Sequence, residues 1–141
     1  MSKDKTEVPV PKGLITPEQA KVLDTAYNSR HTLISEKLLG RPDNRSTWYA
    51  LENIEAYLVY AKNQAKALGY TLDGIRIYEG AYPAEQKEEG YTTMFIMPTG
   101  VSDTCKTKSL KSDPSDSEDI PGGNGLNMGS GGVPPEANYP Q

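Results

Sequence analysis

The chain contains one cysteine, one histidine, one tryptophan and one phenylalanine in 141 residues. A lone Cys105 cannot close a disulfide within one copy, which fits a reducing compartment. With a single His31 beside it, a zinc site built from His and Cys alone is excluded in one copy, and no other cofactor is indicated. Long apolar runs are also lacking. The longest, Met94-Phe95-Ile96-Met97, falls far short of the roughly 18 residues a membrane-spanning helix needs. No apolar stretch follows the charged residues Met1 to Glu7, so no secretion signal is expected and the setting reads as cytoplasmic, without a membrane partner. Basic excess is absent too. The net charge of −4 and the isoelectric point near 5.0 argue against a dedicated nucleic-acid binder. The glycines from Gly122 to Gly125 have no strand before them and no helix after them, so they do not make a phosphate-cradling loop.

What is present divides into three zones. Residues 1–13 form a polar arm with Pro9, Pro11 and Gly13, expected to be extended. Residues 14–100 carry all the sustained periodicity and are expected to fold by themselves. Residues 101–141 hold a run of Ser, Asp and Lys, then six of the 13 glycines and, across the zone, five of the 11 prolines. Such a composition buries too little apolar area to offset chain entropy, so this Gly/Pro-rich segment reads as a disordered tail. Six of the 19 acidic residues lie in it against three of the 15 basic ones, which leaves the core nearly neutral.

Within the core, Thr16 predicts a helix start. It is a good N-cap, Pro17 suits the first helical position, and Gln19 completes a capping box. Ala20, Leu23, Tyr27, His31, Ile34 and Leu38 follow at helical spacing until Gly40 and Pro42. A second helix is predicted from about Ala50 to Leu68, with Leu51, Ile54, Leu58, Ala61, Ala65 and Leu68 on one face and Tyr57 and Tyr60 flanking it. Gly69 closes it. The period then changes to two. Leu72 to Tyr78 reads as a strand with Ile75 and Ile77 on one face, and Tyr91 to Met97 as another, ended by Pro98. Ser46 to Tyr49 is a candidate third strand. The expectation is an α+β fold in the order α-β-α-β-β: a small antiparallel sheet of two or three strands, with two amphipathic helices on one face.

The string from Arg45-Ser-Thr-Trp-Tyr-Ala-Leu-Glu-Asn-Ile-Glu-Ala-Tyr to Leu58, with Gly74-Ile-Arg-Ile-Tyr78 and Thr92-Thr-Met-Phe-Ile96, resembles short uncharacterised bacterial proteins. The resemblance covers roughly residues 45–97. It implies a bacterial cytoplasmic setting and brings no catalytic residue with it.

Two clusters are candidate sites. Arg41, Asp43, Arg45, Trp48 and Tyr49 lead into the second helix, where guanidinium groups and an aromatic platform beside a helix N-terminus suit a phosphate or carboxylate. The plainer alternative is that Trp48 covers the core and the charges pair on the surface. The second cluster is the sheet face with Arg76, Tyr78, Gly80 and Tyr82, joined by Tyr91 and Thr93 or by Thr92 and Met94 according to register. Tyr and Arg are enriched in binding hot spots, although the arm or tail could equally lie across this face. His31 falls in an apolar register, where a lone histidine is usually structural. Asp73 and Glu79 sit roughly 20 Å apart along an extended strand, too far to share a metal.

These residues favour a non-enzymatic protein-interaction or assembly module, acting on a protein partner or on another copy through the Tyr/Arg face and the tail. Ile120, Leu126, Met128, Val133 and Tyr139 are candidate anchors of that tail, docking on the sheet face of its own or a neighbouring subunit. The alternatives are a small anionic-ligand or phosphate-binding regulator using Arg41, Arg45, Trp48 and Arg76, and a small hydrolase using His31 or the carboxylates.

Overall fold

The computed structural model describes residues 8–86, 89–105, 117–127, 130–131 and 137–140. Helix α1 (Pro17–Leu33) starts at the predicted cap. The Thr16 hydroxyl accepts from the Gln19 amide at 3.1 Å, and the Gln19 side chain accepts from the Thr16 amide at 2.8 Å. The helix widens into a π turn, Ile34–Leu39, and stops at left-handed Gly40. Helix α2 (Leu51–Ala67) leads through Gly69 into the hairpin of β2 (Tyr70–Ala81) and β3 (Thr92–Ser102), with β1 (Thr47–Trp48) lying before the helix. Helix α2 packs on β2, and α1 faces the antiparallel sheet across a cavity at Tyr27, Glu79 and Met94; the class is the expected α+β.

The sheet's third strand is not the predicted one. Thr47–Trp48 does form a strand, but it pairs with β5 (Ser130–Gly131) in a separate two-stranded sheet. The main sheet has the order β2-β3-β4, and β4 is Glu118–Asp119 from the segment read as tail. That segment continues along β3, where Ile96 and Leu126 exchange amide bonds of 2.8 and 2.9 Å. Ile120 is 4 % exposed and belongs to the core. Residues 117–127 are therefore built into the fold, because β3 offers them a free row of amides and carbonyls and because Ile120 and Leu126 supply the apolar contacts.

Pro98 lies inside β3 rather than at its end. Residues 94, 96 and 98 of β3 turn their backbone groups toward the returning segment, which takes only the carbonyl of Pro98, bonded by the Ile120 amide at 3.1 Å. The missing proline N–H thus costs no ladder bond. In the hairpin Gly80 faces Thr93, Tyr78 faces Phe95 and Arg76 faces Met97, after an irregularity at Asp73. This is the register that sets Tyr91 and Thr93 beside the Tyr/Arg face.

The buried stripe of α2 also differs from its prediction. Tyr57, Ala61 and Ala65 are buried, while Leu51 is 71 % exposed. The stripe is rotated toward Tyr57, which packs with Ile96 and is flanked by Tyr49, Ile54, Leu72 and Leu126. A tyrosine can take this place because its hydroxyl finds the Asn124 carbonyl at 2.9 Å. In α1 and its π turn the buried side chains are the polar His31 and Ser35, with Ala20, Tyr27 and Ile34 half-buried, whereas the predicted core residues Leu23 and Leu38 are exposed.

Candidate functional site

The predicted anion cluster does not converge. Arg41 points to the β2–β3 connection, donating to the Glu89 carbonyl at 2.7 Å and lying 4.5 Å from the centre of the Tyr91 ring. Arg45 points to α1. It donates to Asn28 at 2.9 Å and to the Asp24 carbonyl and carboxylate at 2.8 and 3.1 Å, over the Tyr27 ring. Trp48 is 65 % exposed. The Tyr49 hydroxyl donates to the Met94 carbonyl at 2.8 Å, with the Leu126 carbonyl 3.3 Å away. Burial raises the Tyr49 hydroxyl above its ordinary pKa. These side chains tie the segment between the helices to its surroundings.

Asp43 is the hub of that segment. Its carboxylate accepts from the Thr92 amide at 2.8 Å and from the Thr92 hydroxyl. Its carbonyl faces His31 Nε2 at 2.8 Å, and its amide donates to Ser35 Oγ at 2.9 Å. His31 and Ser35, one turn apart, come within 3.5 Å, a pairing the sequence reading did not draw. A carbonyl only accepts, so Nε2 must carry the proton it offers Asp43. The same nitrogen then cannot take a proton from Ser35, which is what a nucleophile–base pair needs. An open cleft of about 520 Å³ lies beside them, lined by Thr32, Glu36, Gly40, Arg41 and Pro42.

A smaller cavity of about 180 Å³ separates α1 from the sheet, between Tyr27, Arg45, Glu79 and Met94. Tyr27 titrates above its ordinary value, first through burial and then through the negative charges of Asp43 and Glu79.

On the other side of the sheet the predicted Tyr/Arg face is assembled in part. Tyr78 stacks on Phe95 with ring centres 5.3 Å apart, and its hydroxyl bonds the Asp119 carboxylate. Arg76 pairs with the same carboxylate at 2.8 Å and reaches the Ser117 carbonyl at 3.4 Å. Tyr82 lies further along, where Thr93 and Asn127 approach its hydroxyl at 3.4 Å. The returning segment therefore clasps this face at its β4 edge, using Asp119, a residue the sequence reading did not select.

Of the tail anchors, Ile120 and Leu126 sit on this chain's own sheet and α2, and Tyr139 is exposed. Met128 and Val133 lie outside the described residues. Among the described residues no helix is long and apolar enough to cross a membrane. Comparison with known proteins returned no matching family model, no matching curated protein and no matching solved structure.

Proposed function

We propose that the chain is a non-enzymatic protein-interaction or assembly module, working in a reducing, cytoplasmic setting. One observation carries this reading: among the described residues the distribution of apolar side chains is inverted. The buried apolar residues are Tyr57, Ala61, Ala65, Ile96 and Ile120, while Val22, Leu23, Leu33 and Leu38 of the first helical segment and Leu51 and Val59 of α2 face outward. Exposed apolar groups in such number mark surfaces that meet another protein. Arg76, Tyr78 and Tyr82 add a polar-tipped aromatic face of the kind that recurs at interfaces.

The anionic-ligand alternative receives less support. The guanidinium groups of Arg41, Arg45 and Arg76 are directed to separate places and bonded to groups of this chain. The hydrolase alternative meets the tautomer required at His31.

Chemical cross-linking of the chain in its native extract, read by mass spectrometry, tests the proposal. Intermolecular links from Lys21, Lys37 or Lys62 are expected. Purely intramolecular links, together with a thermal-shift response to a nucleotide or an anionic metabolite, would replace this reading with ligand binding.

A further inference from the structure

The outer edge of β2 has no partner strand among the described residues. Backbone direction identifies which groups it displays. The Tyr82 amide donates to the Tyr91 carbonyl across the hairpin, so the alternating residues Tyr78 and Arg76 also turn their amides and carbonyls toward β3. Those of Ile75, Ile77 and Glu79 therefore point outward. Residues 70–81 include no proline and no lysine, the residues that commonly protect an edge strand. The irregularity at Asp73 leaves the stretch from Gly74 to Ala81 regular.

The same flank of the molecule is apolar. Ile77 is 57 % exposed and Ile75 38 %. Tyr57, Tyr60 and Gln64 of α2 hold Asn124 on the opposite flank. Helical geometry then turns exposed Leu51 and Leu58 toward the β2 side.

We infer that this edge pairs with the β2 edge of a second copy, antiparallel about a two-fold axis at Ile77. The inference deepens the assembly reading and rests on it. Self-complementarity selects the register. Centred on Ile77, the pairing sets Ile77 against its own counterpart, Ile75 against Glu79 and Arg76 against Tyr78, with no like charges opposed. Centring on Arg76 or on Glu79 would oppose identical charges, and centring on Ile75 or on Tyr78 would set Ile77, the more exposed isoleucine, against a carboxylate, Asp73 or Glu79. The Ile75, Ile77 and Glu79 pairs exchange about six backbone hydrogen bonds, and the two three-stranded sheets become one sheet of six strands. Leu51 and Leu58 extend the apolar contact above it.

The register has a covalent signature. Residues facing each other in a hydrogen-bonded antiparallel pair have Cα atoms about 5.5 Å apart, within disulfide range. In a Cys105→Ser background, Ile77→Cys is expected to give an oxidised dimer, whereas Ile75→Cys is not, its counterpart lying four residues out of register. Ile77→Lys, at a position already exposed, is expected to leave a folded monomer in sedimentation velocity, while Asn63→Lys, at an exposed position of α2, keeps the dimer. If Ile77→Lys fails to fold, the cross-link alone decides. A dimer that survives Ile77→Lys, or a dimer in which Ile77→Cys does not cross-link, overturns the β2 pairing while leaving the assembly reading in place. A native chain that is monomeric at every concentration also overturns the pairing, and the cross-links in native extract then decide separately whether another protein is the partner.

Discussion

Asp43 has no exposed surface, and its backbone and carboxylate bind four groups, the side chains of His31 in α1 and Ser35 in the π turn and the amide and hydroxyl of Thr92 in β3. Removing a partner from such a network strands the others without water. Asp43→Ala is expected to destabilise the fold by about 2–4 kcal/mol in urea denaturation, because the Thr92 amide and hydroxyl lose their acceptors. A loss under about 0.5 kcal/mol would mean that water replaces the carboxylate readily. Tyr57 makes a second test at this scale. Burial, and then the neighbouring Tyr60, raise its pKa above 10.0. The folded state therefore holds the phenolic proton more tightly than the unfolded chain does. That contribution to stability is complete below pH 10.0 and is lost as pH rises through the folded value. Tyr57→Phe, which cannot ionise, is expected to lose about 0.5–1.5 kcal/mol at neutral pH with its bond to Asn124. It should also show a shallower decline in Tm across pH 10.0 than the native chain. Parallel declines would place the alkaline sensitivity elsewhere, in Tyr27 or Tyr49.

At the scale of elements, the segment from Ser117 to Asn127 closes one edge of β3 and holds α2 through Asn124, which meets Gln64 and the Tyr60 hydroxyl at 2.8 Å. Ile120→Ala should cost about 2–5 kcal/mol, as deletion of a buried aliphatic side chain does. A chain ending at Ser102 should melt well below full length by circular dichroism, and equal melting temperatures would show the segment to be dispensable. This strap also explains what was legible in the sequence. Local signals were readable: the Thr16 cap, the left-handed Gly40, and the change of period after Gly69 that announces the hairpin. Composition was misleading for residues 117–127. Their glycines are not signs of looseness at Gly123 and Gly125, where a Cβ would strike Pro98, Met97 or the backbone of Ile96; they allow close approach. The helical stripe was misread for a related reason. Leucine spacing favours Leu51, but Tyr57 gains its inward place only because Asn124 arrives from 67 residues away, and no local pattern records that arrival. The Arg41–Arg45 cluster failed likewise, since proximity along the chain says nothing about opposed directions of two side chains.

For the whole molecule, the surplus of apolar groups outside has a stability consequence. Val22→Lys and Leu33→Lys should each change unfolding free energy by less than about 0.5 kcal/mol, although both replace aliphatic groups on a helix. Lower self-association or higher solubility is the expected gain, measured by light scattering at matched concentration. A loss above about 2 kcal/mol would mean that these side chains are buried in a tight assembly that unfolds with the chain. The return of residues 117–127 has a further consequence, for folding order. Tyr49 waits for Leu126, 77 residues later, and contacts so distant along the chain slow folding. During synthesis, both helices and the hairpin leave the ribosome before the strand that completes β3. Until Leu126 follows, a nascent chain leaves the long edge of β3 open as well as that of β2, and it is then most exposed to aggregation and most in need of a chaperone.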